Sequence, residues 1–138
     1  MDFLILGKAQ AKQRPKFGNG HAYTPKKTAN YEAYVKSQAI EQMKQQHAVK
    51  YADDVPLSMT IEQYVIPPKS LLSVKSRYAD NLKAMHKGTL RPTKKPDLDN
   101  IAKSICDALN GIAYHDDKQI VELVVRKFYG SSDMVRIS

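Results

Sequence analysis

The chain has 138 residues, of which 42% are hydrophobic and 26% charged, with a formal net charge of +8. This length and composition predict one globular domain over residues 1–138. The apolar runs are too short for a membrane-spanning helix or a signal peptide. The single cysteine, Cys106, excludes an internal disulfide and a cysteine-based zinc cluster, so we expect a cytoplasmic protein.

The first half of the chain is predicted to contain two strands and a helix. Residues 2–6 are apolar enough for a short strand, and the basic, turn-rich residues 8–27 indicate a loop or an irregular hairpin. Helical spacing of apolar residues predicts a helix over 28–46, with Thr28 as its N-cap. Alternation of apolar and polar residues over 57–62 predicts a half-buried strand.

The second half is predicted to contain two more helices and two strands. Ser70 is a candidate cap for a helix running towards Met85, and a third helix is expected to start at Asp99 or Asn100 and end near Asn110, before Gly111. Strands are predicted over 121–126 and 134–137. This order predicts the α/β class, as an α+β two-layer sandwich with a mixed β-sheet and helices packed mainly on one face.

Charge is distributed unevenly along the chain. Residues 1–50 carry nine Lys or Arg against three Asp or Glu, and residues 51–96 carry eight against four. Residues 97–138 reverse this balance, with five basic residues against seven acidic. A basic surface attracts phosphate, whereas carboxylates repel it unless a cation neutralises them. The segregation therefore predicts a nucleic-acid-binding surface next to a metal-binding acidic site.

The acidic site is centred on Asp97 and Asp99, which are separated by Leu98. In an extended segment, which Pro96 favours, both carboxylates would point to one side while Leu98 points into the core. Two carboxylates on one side can share a cation. Because the candidate ligands are oxygens, the expected ion is Mg²⁺, with Mn²⁺ as a possible substitute.

The third predicted helix carries a polar stripe formed by Asp99, Lys103 and Asp107, which lie four residues apart. Cys106 is predicted on the same polar side. Lys103 has two interpretations: an ordinary ion-pair partner of the two aspartates, or an ammonium that stabilises charge on a phosphate during cleavage. Spacing alone favours the first.

Asp116 and Asp117 form a second acidic pair, between a turn and a strand. Adjacent side chains of an extended segment point to opposite sides, so we expect one of them to complete the metal site and the other to cap the turn or support the ligands. The sequence contains no Walker A and no Gly-rich dinucleotide motif, so no nucleotide cofactor is expected.

Three segments resemble the RusA family of Holliday-junction resolvases. They are the stretch from Lys95 to Asn110, which begins K-P-D-L-D-N-I-A-K, the stretch from Tyr114 to Glu122, which contains H-D-D, and the basic residues 7–28. The resemblance implies that Asp97, Asp99 and Asp117 bind Mg²⁺, with Asp116 adjacent, and that Lys103 contributes to cleavage. It also implies a homodimer that nicks two strands of a four-way DNA junction symmetrically, in recombination, repair or the processing of phage DNA.

Eight basic residues, in the segment 8–27 and just before Pro96, are predicted to contact DNA phosphates without reading the base sequence. They are Lys8, Lys12, Arg14, Lys16, Lys26, Lys27, Lys94 and Lys95.

Two other functions compete with junction resolution. The chain could be a non-catalytic nucleic-acid-binding protein whose acidic residues are structural. It could also be a nuclease of the same chemistry that acts on flaps or replication forks.

Overall fold

The structure is a computed structural model that describes residues 1–23, 25–73 and 77–138. Its strands are β1 (Phe3–Leu6), β2 (Lys16–Gly18), β3 (His21–Tyr23), β4 (Leu57–Val65), β5 (Ile120–Tyr129) and β6 (Met134–Ile137). Its α-helices are α1 (Lys26–Gln46), α2 (Tyr78–Lys87) and α3 (Leu98–Leu109). Short 3-10 turns lie at Lys69–Leu71 and Asp117–Gln119.

One mixed sheet contains four of the strands in the order β1-β6-β4-β5. β6 is antiparallel to both of its neighbours, whereas β4 and β5 are parallel. Helix α1 packs against β1 and α3, and α3 also contacts β5, so these two helices cover one side of the sheet. The predicted α+β sandwich is therefore confirmed. β2 and β3 form a separate hairpin inside the predicted basic loop.

The core lies between this side of the sheet and the two covering helices. Strand residues Ile5, Ile61 and Val135 are fully buried, as are Val35 from α1 and Ile105 from α3. Apolar side chains recur at every second strand position and on one side of each covering helix. Their burial supplies the main favourable free energy of folding.

Side chains of α1 cover the free edge of β1. Gln42 donates to the carbonyl of Leu4 (2.7 Å) and accepts from its amide (2.8 Å). One helical turn later, Gln46 makes the same two hydrogen bonds with Asp2, at 2.6 and 3.2 Å. The two glutamines therefore satisfy backbone groups that a further strand would otherwise pair with.

The predicted N-cap of the first helix, Thr28, was wrong by three residues. Helix α1 begins at Lys26, with Pro25 as its N-cap residue. Thr28 is only 1% exposed, and its hydroxyl accepts a hydrogen bond from the amide of Gln13 (3.0 Å). The hydroxyl thus anchors the basic segment, residues 8–27, instead of capping the helix.

The second helix is shorter than predicted. Ser70 lies in a 3-10 turn, and α2 begins only at Tyr78. Part of the predicted helix, residues 74–76, lies outside the described residues. Gly88 ends α2 in a left-handed conformation (φ +75°), as expected of a helix-terminating glycine. No helix among the described residues is long and apolar enough to cross a membrane.

Candidate active site

Asp97 lies at the start of α3, next to the basic segment. It is the N-cap residue of the helix, in an extended conformation with φ −71° and ψ 149°. A cavity of about 330 Å³ is lined by Asp97 together with Lys27, Lys95, Asn100 and residues 9–11. Exposed carboxylate and ammonium groups are therefore brought together at a helix N-terminus, where free N–H groups favour bound anions.

Asp99 lies in the first turn of α3, because the helix begins at Leu98 and not at Asp99 or Asn100. The predicted extended segment with two carboxylates on one side was therefore wrong. Leu98 is 41% exposed and does not point into the core. One oxygen of Asp99 accepts a hydrogen bond from the amide of Asn100 (3.0 Å), which orients the carboxylate at the helix start.

Lys12 lies between two acidic side chains, although it was predicted to contact phosphate. Its ammonium is 2.5 Å from the Glu32 carboxylate and 3.1 Å from that of Asp107. Burial lowers the pKa of Lys12, but the hydrogen bonds to these carboxylates outweigh it and place the pKa above its ordinary value. Lys12 therefore joins the basic segment to α1 and α3 as a structural cation.

Lys103 is exposed on α3, on the side predicted by helical spacing. Within the described residues it forms no salt bridge with Asp99 or Asp107. Asp107 pairs with Lys12 instead, so the ammonium of Lys103 faces solvent. Cys106 was wrongly assigned to this polar side, since it is 7% exposed and belongs to the core.

Asp116 and Asp117 differ in their surroundings, but the prediction that they point to opposite sides of an extended segment was wrong, because Asp117 begins a 3-10 turn and the two carboxyls are in contact. Asp116 caps the short 3-10 turn by accepting from the amide of Lys118 (2.9 Å), and this hydrogen bond lowers its pKa. Burial raises the pKa of Asp117, and the neighbouring carboxyls of Asp116 and Asp107 raise it further. Like charges held this close favour either a proton or a cation between them.

Gln119 holds the turn that carries this acidic pair. Its amide group donates to the carbonyls of Ala52 (2.7 Å) and Val55 (3.1 Å), and its oxygen accepts from the amides of His115 (2.9 Å) and Asp116 (3.3 Å). The side chain is 6% exposed, so these bonds are shielded from water. The uncharged side chain of Gln119 therefore fixes the position of Asp117 next to α3.

Apart from Lys12, the basic residues that were predicted to contact phosphate lie in two groups. Lys8, Lys94 and Lys95 line a cavity at one end of β4 and β5. Lys127 fixes the backbone there, because its ammonium donates to the carbonyls of Lys94 and of Pro96 (3.0 Å for the latter). The other candidates for phosphate contact are exposed at or near the β2–β3 hairpin and the start of α1, and they are Arg14, Lys16, Lys26 and Lys27.

The sequence that forms this site matches a known family. Residues 7–138 match the family described as Endodeoxyribonuclease RusA. The chain belongs to the RusA family. A relative, described as "Uncharacterized protein YqaN" of Bacillus subtilis (strain 168), is 35% identical over 139 residues, covering 98% of this chain and 92% of the relative. The chain is accordingly a nuclease by family, and the RusA family acts on branched DNA.

The candidate ligands fit Mg²⁺ in their chemistry, since they are carboxylate oxygens. Among the described residues, however, no three Asp, Glu, His or Cys side chains converge closely enough to hold a metal ion. Asp117 does contact the carboxyls of Asp107 and Asp116. The donor type thus suits a hard divalent cation, while the ligands are not assembled around a common point.

Two residues that shape the site, Glu32 and Gln119, were not identified from the sequence. Glu32 carried no signal, because its role depends on contact between α1 and the basic segment. Gln119 could have been found, since Asp116 and Gln119 have capping-box spacing, and both hydrogen bonds of such a box are present.

Proposed function

We propose that the chain is a Mg²⁺-dependent, structure-selective endodeoxyribonuclease that resolves four-way DNA junctions by paired symmetric nicks. The observation that carries the proposal is the position of Asp97. This carboxylate shares a cavity with Lys27 and Lys95 at the N-terminus of α3, so a phosphate drawn to the lysines would arrive beside it. Membership of the RusA family supports the same activity.

Four residues are assigned to the reaction. Asp97, Asp99 and Asp117 would hold Mg²⁺, with Asp116 adjacent. When bound, the ion polarises the phosphate and makes hydroxide available near neutral pH. The exposed ammonium of Lys103 is assigned to stabilise the negative charge that develops on the phosphate, and the absence of a salt bridge to Asp99 or Asp107 within the described residues supports this role.

The basic residues would position the DNA. Lys8, Lys94 and Lys95 would contact phosphates on one side of Asp97, and the hairpin residues Arg14 and Lys16 would contact those further away. Lys26 and Lys27, at the start of α1, would add to the same surface. Such contacts orient the duplex arms without reading their sequence. Lys12 is the exception, because both of its carboxylate partners compete with phosphate.

The active form is proposed to be a homodimer. A four-way junction has approximate two-fold symmetry, so two sites related by a two-fold axis would reach equivalent phosphates on two strands. This arrangement accounts for paired nicks with one site in each protomer.

Cleavage of a labelled four-way junction, with Mg²⁺ or with EDTA, tests the proposal. Asp97→Asn should lower the cleavage rate at least about a hundredfold while preserving junction binding, because the variant lacks one ligand and no longer repels the adjacent phosphate. Asp53→Asn is the matched control, since Asp53 is an exposed turn residue outside the site. Binding without Mg²⁺-dependent nicks would reject the proposal in favour of a non-catalytic DNA-binding protein.

Substrate preference is tested by comparing junction, fork, flap and linear duplex at one salt concentration. We expect paired nicks on the junction and much slower cleavage of the other three. Faster cleavage of forks or flaps would keep the chemistry and overturn junction resolution.

A further inference from the structure

A second cavity lies beside the one that contains Asp97. Its volume is about 350 Å³, and it shares Ala9, Lys95 and Pro96 with the Asp97 cavity. Part of its wall is apolar and is formed by Val65, Ile66, Pro68, Pro92 and Tyr129. This volume is near the lower end of the range for small-molecule sites, so the cavity suits one flat ring and not a duplex.

Gln63 lines this cavity and introduces a polar group into an otherwise apolar strand face. It lies on β4 two residues after the fully buried Ile61, and it is itself 2% exposed. Its side-chain oxygen has no hydrogen-bond partner among the described residues. A buried acceptor without a partner destabilises the folded state, and a leucine at this position would avoid that cost. The terminal torsion of glutamine is soft, so the oxygen can turn towards a donor that enters the cavity.

Cations lie at the mouth of the same cavity. Lys8, Lys94 and Lys95 line it and are exposed. The Lys94–Pro96 backbone is held against β5 by Lys127, so the mouth has a defined shape. Asp133 also lines the cavity, and one of its carboxylate oxygens accepts from the amide of Ile66 (3.1 Å). A partly apolar slot that offers acceptors from Gln63 and Asp133 and is flanked by ammonium groups matches a base, which carries N–H donors, with a phosphate on either side.

We propose that this cavity, here called the base cavity, binds one unstacked nucleobase of the DNA strand that passes Asp97. The ring would pack against Tyr129 and the prolines, and Gln63 would accept a hydrogen bond from an N–H of the base. The proposal rests on the proposed function, because it needs a DNA strand along Asp97. It adds a specificity-determining residue to that function: the N–H groups differ in position among the four bases, so Gln63 would favour some bases beside the cut.

Binding of short single strands in EDTA tests the base cavity without cleavage. Four fluorescein-labelled hexanucleotides would carry AA, CC, GG or TT at the centre, between thymidines. Wild-type protein should show a spread in Kd of at least about fivefold across the four, as expected for readout of one base edge. Gln63→Leu should reduce the spread to less than about twofold, and its free energy of unfolding should be unchanged or higher.

Two further variants keep the test decisive. Gln45→Leu is the matched control, because Gln45 is exposed on α1, and it should retain the wild-type spread. Ile66→Trp places a large ring at the cavity from a residue that is 55% exposed, so it should block the base without disturbing the core. Equal wild-type binding to all four strands overturns the proposal, as does a spread that survives both Gln63→Leu and Ile66→Trp.

Failure of the base cavity and failure of the proposed function would give different results. Junction cleavage together with uniform hexanucleotide binding would reject only the base cavity. Base-dependent binding without any junction cleavage would support the base cavity and reject only the proposed activity.

Discussion

Lys12 connects three segments that are distant in the chain. Its ammonium contacts Glu32 of α1 and Asp107 of α3, and its backbone amide donates to the carbonyl of Asn100 (3.3 Å). The ion pairs are partly shielded, with side-chain exposures of 18% for Lys12 and Glu32 and 27% for Asp107. Shielding makes such pairs costlier to break than surface pairs.

Lys12→Met should therefore lower the free energy of unfolding by about 1–3 kcal/mol, because two carboxylates are left without their shared cation. Denaturant unfolding measures this change. Lys16→Met removes the same charge from an exposed hairpin position and should change stability by less than about 0.5 kcal/mol. Equal decreases for the two variants would contradict a structural role for Lys12.

The buried thiol of Cys106 should lower the free energy of unfolding at alkaline pH. Burial raises the pKa of its thiol to about 11, helped by the charges of Asp117 and Asp107. In the unfolded chain the thiol ionises near its ordinary value of about 9. Between these two values the folded state holds a proton that the unfolded state has released, so stability should fall as pH rises.

Denaturant unfolding between about pH 8 and pH 11 measures this fall. Cys106→Ala should make the free energy of unfolding depend less on pH. Some dependence should remain, because burial also raises the pKa of tyrosines such as Tyr31, to about 12. The native thiol should also react slowly with a thiol reagent at about pH 8. A fast reaction of folded protein, or an unchanged slope in Cys106→Ala, would contradict the assignment.

At the scale of elements, α1 protects an edge of the sheet with side chains. Gln42 and Gln46 lie one turn apart, and each pairs with the amide and the carbonyl of a single residue in or next to β1. Tyr34 extends the row by donating to the carbonyl of Leu6 (2.9 Å). An uncovered strand edge is a template for association with another chain.

Replacing Gln42 and Gln46 together by Leu should expose this edge. We expect a mass in sedimentation that rises with protein concentration above that of the wild type, together with reduced solubility. Glu41→Leu with Gln45→Leu adds the same hydrophobic groups at the same spacing on exposed positions of α1, and it should behave like the wild type. Similar association of both double variants would indicate surface hydrophobicity alone.

At the scale of the whole molecule, the excess of positive charge belongs to the first two-thirds of the chain, and the acidic residues are concentrated in the last third. Folding brings these regions together: Lys27 and Lys95 line one cavity with Asp97, and Lys12 pairs with Asp107. The result is an acidic site with basic groups beside it, and under the proposed function these basic groups would attract DNA by releasing counterions from its phosphates.

Junction binding in EDTA should accordingly weaken steeply as salt rises. Lys94→Gln with Lys95→Gln should reduce the slope of log K against log salt by about one for each phosphate that these two lysines neutralise. Lys44→Gln with Lys50→Gln changes the net charge equally and should leave the slope nearly unchanged. The same reduction in both double variants would show that total charge, and not the position of Lys94 and Lys95, governs binding.

Much of the architecture could be predicted from local patterns. The alternation along β4, the apolar side of α3 and the glycine after α2 each depend on residues that are close in the chain, so periodicity and capping rules identify them. The capping role of Asp116 was predictable from its place at a turn, but its contact with Asp117 was not, because Asp117 begins a 3-10 turn instead of an extended segment. The exact start of α3 was not predictable. The helix begins at Leu98, although the sequence makes Asp99 and Asn100 equally plausible first residues.

By itself, the sequence determined the fold class, the acidic and basic segments and the residues proposed for catalysis, because composition, spacing and motif are local properties. Only the tertiary structure decided which charges meet. It paired Lys12 with Glu32 and Asp107 and left Lys103 facing solvent. It also placed Gln63, whose buried side-chain oxygen has no partner among the described residues, in the lining of a cavity beside the one that contains Asp97. These outcomes depend on packing between elements far apart in the chain, where burial and the geometry of each contact set the partner, and spacing along the sequence carries no such information.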